Sequence, residues 1–456
     1  MAQLDMTHGA VGRDMLRYAW PLILGNLFQL SYNLVDSVIA GRFLGKDALA
    51  AAGTASPIMN ILILGISGLS MGAGVLMSEF FGAGEREKLK REMSTVLLFG
   101  LFFSLTATAL GVIFTTPLLR ALEVPADILS MTGAYVRFIF LGVPFTYFYN
   151  TLAAALKAVG DSKTPLKFLM FSACLNAALD VILIGWLRLG LVYSAVATVA
   201  AEACSAVMSV CYIYRRVPEL ALGRGELRLD KPLLKITLRY GSTTALQQSC
   251  QPIGKLLIQR CVNSLGVDAM AAFNAVTRID DFAFTPEQSI AQAITTFVAQ
   301  NRGHGVRTLE DRQRIYRGFR VGLILEACYW VLICLVAETL NRPIMLLFTQ
   351  EGSAADTIAM GCSYLTVMGF FYIMPALSNG IQGFFRGCGR MRVTLLSTLI
   401  QVFFRVTGTY LLAPRIGIVG VALACAVGWL FMIGYEYSYY FWSKTRWNRG
   451  RRPFGT

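Results

Sequence analysis

Four polar side chains close together near the start of this chain could do chemistry inside an apolar environment. Gln29, Tyr32, Asn33 and Asp36 are spaced i, i+3, i+4, i+7, which sets all four on one face of a helix. Asp36 sits within Tyr32-Asn33-Leu34-Val35-Asp36-Ser37-Val38-Ile39-Ala40, a run too apolar to be a solvated surface. An ionisable group in such a run marks an ion path or a binding site by default, the alternative being a packing acid held by hydrogen bonds. Two further pairs repeat the pattern. Asn176 and Asp180 stand at i, i+4, as do Thr198 and Glu202. Asp180 and Glu202, the amide of Asn176 and the hydroxyl of Thr198 make an oxygen set suited to a small hard cation. If Asp36 approaches Asp180, the pair gains affinity for one proton, so the same pocket could hold H⁺ or Na⁺. For Asn176 and Asp180 a helix-to-helix hydrogen bond is the competing reading, and for Glu202 the direction of the side chain stays open.

The second half of the chain carries different chemistry. Gln247, Gln251, Lys255, Gln259 and Asn263 form an i, i+4 ladder. Asn274, Arg278, Asp281, Gln288 and Gln292 follow along one stripe, with Asp280 and Glu287 beside it. These groups either neutralise one another in an internal network or touch a bound molecule. Gln401 and Arg405 fit the same alternatives. On the substrate reading, the contact residues are Gln29, Tyr32, Asn33, Glu202, Gln251, Lys255, Arg278, Asp281, Glu287 and Gln288. Phe28, Tyr32, Tyr147, Tyr149 and Phe282 are candidate aromatic contacts, lipid-facing packing being the alternative. Other chemistry has little support. The two histidines, His8 and His304, fall in polar segments, which argues against a histidine-ligated metal or haem. The ten cysteines include no C-x-x-C pair, and no phosphate-binding glycine pattern is present. No cofactor is expected beyond the coupling ion, and no nucleophile–base pair suggests an enzyme.

Positioning these side chains requires membrane-spanning helices. The chain is 55% hydrophobic and 15% charged, against about 25% charge in a typical soluble domain. About 20 apolar residues cross a bilayer, and twelve such segments follow one another. They lie near 15–41, 49–81, 93–119, 131–156, 165–187, 191–214, 233–263, 269–300, 318–340, 355–385, 393–413 and 416–443. The expected fold is an all-α polytopic membrane protein. Its glycines at 65, 68, 72 and 74 predict close helix packing.

The second half also repeats the first. Leu44-Gly45-Lys46-Asp47-Ala48 returns as Leu265-Gly266-Val267-Asp268-Ala269, and Leu16-Arg17-Tyr18-Ala19 as Leu238-Arg239-Tyr240-Gly241. Lys157-Ala158-Val159-Gly160 answers Arg386-Gly387-Cys388-Gly389, and Gly190-Leu191-Val192 answers Gly417-Ile418-Val419. Six crossings per repeat place both halves in the same orientation, as in parallel-repeat transporters. The expected division is an N-terminal lobe at 1–214, a polar linker at 215–231 and a C-terminal lobe at 232–456, with a central cleft between the lobes. The net charge of +14 follows topology: thirty of the 41 Lys and Arg fall on one side and seven on the other. That asymmetry places both termini in the cytoplasm and turns the basic runs into topology signals rather than a nucleic-acid surface. The partners expected are small organic substrates and the bilayer, with a monomer as the working unit.

The run Asn33-Leu34-Val35-Asp36 followed by Gly41-Arg42-Phe43-Leu44-Gly45 resembles the opening motif of the multidrug and toxic compound extrusion (MATE) transporters. Asn263-Ser264-Leu265-Gly266 with Ala271-Ala272 resembles its second-half counterpart, and Gln300-Asn301-Arg302-Gly303 resembles a further one, although Arg302 replaces the usual small residue. The likeness covers nearly the whole chain. It implies two six-helix bundles around a V-shaped cleft, working by antiport in a bacterial cytoplasmic membrane. Asp36, Asn176, Asp180 and Thr198 fit the cation positions of the family's DinF-like branch one for one. The acidic ligands that another branch carries in its C-terminal lobe have no clean equivalent here. The expected function is therefore export of organic, cationic and aromatic compounds in exchange for H⁺ or Na⁺. A flippase for a lipid-linked sugar or cell-wall precursor is the alternative. It would favour a cleft lined by many basic residues, and only Arg137, Lys255, Arg278 and Arg405 lie within the helices.

Overall fold

The computed structural model describes residues 4–43, 45–223, 225–306, 308–348 and 355–448; the side chains of 33–42, 45–47, 49 and 446–448 are not among those described. These residues fold entirely into helices and their connections. In the first half, α1 spans Val11–Phe43, α2 Gly45–Gly82, α3 Arg86–Ala121, α4 Ala126–Ala158, α5 Lys163–Asp180 and α6 Leu191–Arg216. In the second, α7 spans Lys231–Asn263, α8 Val267–His304, α9 Leu309–Thr339, α10 Asn341–Phe348, α11 Ala355–Phe371, α12 Ile373–Gly387, α13 Met391–Ile416 and α14 Ile418–Asn448.

Each of the twelve expected segments coincides with one long helix or, for the tenth, with the pair α11–α12, bent by 46°. The short α10 is an addition between the ninth and tenth. Among the described residues, eight helices are long and apolar enough to cross a membrane, and the bent pair makes nine. The others, α1, α7 and α8, are the helices that carry the polar stripes. Prolines 21, 57, 117, 144, 252, 286 and 414 lie inside helices, as spanning helices tolerate when neighbours re-satisfy the freed backbone groups.

The internal repeat extends to backbone conformation. After α4, Gly160 takes φ +84°, with Gly160 N bonded to Lys157 O at 3.0 Å and Asp161 N to Leu156 O at 2.9 Å. After α12, Gly389 takes φ +72°, with Gly389 N bonded to Arg386 O at 2.9 Å and Arg390 N to Phe385 O at 2.8 Å. A left-handed residue closing the last helical carbonyls is a position where glycine avoids a Cβ clash.

By contacts the chain divides into two compact units. One comprises Met1–Asp5 and Leu24–Ala245, the other Met6–Ile23 and Leu246–Thr456. The polar linker is therefore a boundary in sequence, whereas the change of unit falls inside α1 and inside α7. The first unit has an apolar core built on Ile66, Met77, Val136, Tyr147 and Leu156. The core of the second is built on Phe273, Val276, Tyr364, Met368 and Trp429.

The chain leading into α7 is pinned within the first unit. Ser94 donates to Arg228 O at 2.9 Å and accepts from Arg228 N at 2.7 Å, Asp230 N donates to Thr95 at 3.0 Å, and Lys90 pairs with Glu226 at 2.9 Å. The chain leading into α1 is pinned within the second. Met6 N donates to Gln300 at 3.0 Å, and the Arg314 guanidinium donates to the carbonyls of Met6, His8 and Gly9 at 2.8 to 2.9 Å.

Candidate functional site

α5 and α6 of the first unit bring together three of the four residues expected to hold a cation. Asn176 and Asp180 lie one turn apart on α5, at 3% and 0% exposure. The Asn176 side-chain amide is 3.2 Å from Thr198 Oγ1 on α6. With its amide turned to satisfy both ends, Asn176 accepts from the Thr198 backbone N–H at 3.0 Å and donates to Asp180 Oδ2 at 3.2 Å and to the Tyr32 hydroxyl of α1. The Thr198 hydroxyl donates to Ser194 O at 3.0 Å. Asp180 and Asn176 are thus buried, while Thr198 is exposed. The helix changes form directly after Asp180, continuing as a π turn over Val181–Trp186, a widening frequent at functional sites. A carboxylate, an amide and two hydroxyls meet here through hydrogen bonds; their oxygens are of the kind a small hard cation takes. The side chains of Asp36 and Asn33 lie outside the described residues.

Other residues expected near a substrate divide by exposure. Gln29, Gln251, Arg278, Asp281 and Gln288 are exposed. Glu202, one turn beyond Thr198, accepts a short hydrogen bond from Thr146 of α4. Asn150 donates in turn to Thr146 O at 2.8 Å. Of the aromatic candidates, Tyr147 is in the core and not at a binding surface. It is fully buried against Gly100, and its hydroxyl donates to Val96 O at 3.1 Å.

The polar residues of the second unit form pairs. Lys255 reaches Asp281 at 3.4 Å, Gln251 donates to Gln401 at 3.2 Å, and Gln259 donates to Asn263 at 2.8 Å. Asp280 is buried and accepts from Tyr372 at 2.6 Å. Glu287 is fully buried, with Asn379 donating to it at 3.3 Å. In the same unit, Gln247 donates to Gln382 at 2.8 Å and accepts from Thr394 at 2.9 Å. Gln382 and Ser378 donate to Glu436 at 3.0 and 2.8 Å.

Sequence reasoning missed Glu326, Asn379, Gln382 and Glu436. A signal was present for the two acids, since each stands within an apolar span, as Asp36 does. Asn379 and Gln382 carry no such signal, because a single amide in a helix is ordinary.

Comparison with known proteins places this geometry in context. A family model described as MatE matches residues 21–182 and again 244–411, so the same model fits both repeats. The chain is 28% identical over 401 residues to "Probable multidrug resistance protein YoeA" of Bacillus subtilis, covering 86% of this chain and 84% of that one. It is also 28% identical over 444 residues to "Probable multidrug resistance protein YpnP" of the same organism, covering 96% and 97%. A solved structure, the outward-facing conformation of a multidrug resistance MATE family transporter of the MOP superfamily, superposes with a TM-score of 0.89. It is 20% identical, with 98% of each chain covered, and shows the fold.

Proposed function

This chain belongs to the MatE family, and on that premise we propose that it exports organic compounds across the membrane in exchange for H⁺ or Na⁺. The observation that carries the coupling reading is the convergence of Asn176, Asp180, Thr198 and Tyr32 in the first unit. Asp36, on the polar face that also holds Tyr32, completes the proposed ligand set. The incoming cation binds at these oxygens, and coupling follows if it binds one orientation of the transporter more tightly than the other, since only differential affinity shifts a conformational equilibrium.

The acids of the first unit favour cationic substrates with aromatic bodies, and the exposed Gln29, Gln251, Arg278, Asp281 and Gln288 are proposed contacts. The working unit is proposed to be a monomer in a bacterial cytoplasmic membrane, with both termini inside. The flippase alternative has less support, because the basic Lys255 is already paired with Asp281.

Efflux of a fluorescent cationic dye from proteoliposomes, under proton and sodium gradients imposed separately, tests the reading. Gradient-driven efflux in the wild type that vanishes in Asp36→Asn is expected, and the effective gradient names the ion. Wild-type protein that moves no dye under either gradient would overturn multidrug export.

A further inference from the structure

The third helix of each repeat opens on a basic run, and the two runs differ in how their charges are met. On α3, Arg86 lies 3.6 Å from Glu219, Lys88 2.9 Å from Glu85, Lys90 2.9 Å from Glu226 and Arg91 2.6 Å from Glu87. On α9, Arg314 is engaged by the carbonyls of Met6, His8 and Gly9, and Asp311 by the Thr308 cap. Among the described residues, no carboxylate forms an ion pair with Arg317, with Arg320 or with Lys444 of α14.

Arg320 and Lys444 flank one aromatic cluster shared by α9, α12 and α14. Lys444 Nζ is 5.2 Å from the ring centroid of Tyr316 and 5.9 Å from that of Tyr440. Arg320 is near enough to Tyr440 to act on it through space, as Arg312 is to Tyr316. The Tyr316 and Tyr440 rings are 6.2 Å apart, and Phe384 of α12 packs on both, at 6.3 and 5.5 Å. The packed rings hold the cations to one place, and near a low-dielectric phase their mutual repulsion is offset when an anion joins them.

The level of these cations suits a lipid headgroup. The apolar stretches of α9 and α14, 318–340 and 416–443, both end here. Phe441 and Trp442 are exposed beside Lys444, as aromatic side chains are at a membrane–water boundary. Ile324, one turn beyond Arg320 toward the apolar stretch, is exposed as well. A ligand at this place therefore meets cations at one end and apolar surface at the other.

We propose that Arg320 and Lys444, supported by Arg312, form a headgroup site for an anionic phospholipid of the phosphatidylglycerol type. The planar guanidinium of Arg320 takes two phosphate oxygens as a fork, and Lys444 acts as a point charge. The acyl chains lie along Ile324 and Phe441. A phosphodiester without a balancing ammonium keeps its net charge, so the site favours phosphatidylglycerol over zwitterionic phosphatidylcholine. The site requires the chain to lie in a membrane and is independent of what it exports and which ion drives it.

Fluorescence anisotropy of tail-labelled phosphatidylglycerol and phosphatidylcholine, each titrated with the purified full chain in a non-ionic detergent, tests the site. No transport is required, so its failure is distinguishable from failure of the export reading. The wild type is expected to bind phosphatidylglycerol more tightly than phosphatidylcholine. Arg320→Gln and Lys444→Gln should each weaken phosphatidylglycerol binding about fivefold, and together about 25-fold, with phosphatidylcholine unaffected. Arg91→Gln, which removes a paired charge from α3, should change neither. Equal affinity for the two lipids would overturn the proposal, as would wild-type affinity in the double variant or an equal loss in Arg91→Gln. Displacement of the labelled lipid by inorganic phosphate would assign the cations to a soluble anion and overturn it too. Should the double variant fail to fold, the wild type decides. Phosphatidylglycerol binding that weakens with added NaCl, while phosphatidylcholine binding does not, supports the site, and salt-independent binding overturns it.

Discussion

Asp180 has little room to act as anything but a ligand or a hydrogen-bond acceptor. It is fully buried at the end of α5, and the Asn176 amide is turned toward it. Replacing it by asparagine keeps the shape and removes the charge. Charge-assisted hydrogen bonds contribute about 1.5–3 kcal/mol, or roughly 10- to 100-fold in an equilibrium constant. Asp180→Asn is therefore expected to lower gradient-driven dye efflux by at least about tenfold, at unchanged yield and dispersity. Thr198 supplies a neutral hydroxyl. Thr198→Ala should cost about 1 kcal/mol, roughly a fivefold weaker dependence of efflux on the coupling ion, and Thr198→Ser should restore it. An Asp180→Asn variant with wild-type efflux would place coupling outside this set.

The glycines of α2 separate packing from mere presence. A Cβ built on Gly72 would lie 2.6 Å from the Gly241 backbone nitrogen, and one on Gly68 would lie 2.6 Å from Ala245 Cβ. Here the starting turns of α7 pass α2 backbone to backbone, as small residues permit in membrane helices. Gly65, one turn earlier, has nothing within 4 Å. Gly72→Ala is expected to push the helices apart at a cost of about 1–3 kcal/mol, read as a lower midpoint of thermal unfolding in detergent. Gly65→Ala should leave the midpoint unchanged or raise it, because alanine in a helix is better than glycine by roughly 0.5–1 kcal/mol. Equal effects at the two positions would show that the close crossing does not bear on stability.

At the scale of the molecule, each repeat lends its opening turns to the unit built mainly from the other. Tyr18 on α1 bonds Thr296 at 3.1 Å in the second unit, and Thr237 on α7 bonds Glu92 at 2.6 Å in the first. A chain cut in the linker is therefore expected to give halves that depend on each other. Residues 1–224 or 225–456 expressed alone should be degraded or aggregate, and co-expression should restore a pair that purifies together and transports dye. A second half that is stable and monodisperse by itself would show that residues 6–23 are dispensable to the second unit.

The sequence by itself determined the number and order of the long apolar segments and the helical form of each. Apolar runs of bilayer length are a local property, and the free energy of leaving backbone groups unbonded in lipid permits little but helix. It also determined the duplication, and the spacing of Asn176, Asp180 and Thr198, because i, i+4 neighbours share a helical face whatever surrounds them. Tertiary structure alone decided which faces meet. It placed Tyr147 in the core rather than at a surface, paired Lys255 with Asp281 while leaving Glu287 to Asn379, and exchanged the first turns of α1 and α7 between the units. Those outcomes rest on contacts between residues far apart in the chain, as with Glu287 and Asn379. Periodicity fixes which direction a side chain points from its own helix, and it carries no record of what stands opposite.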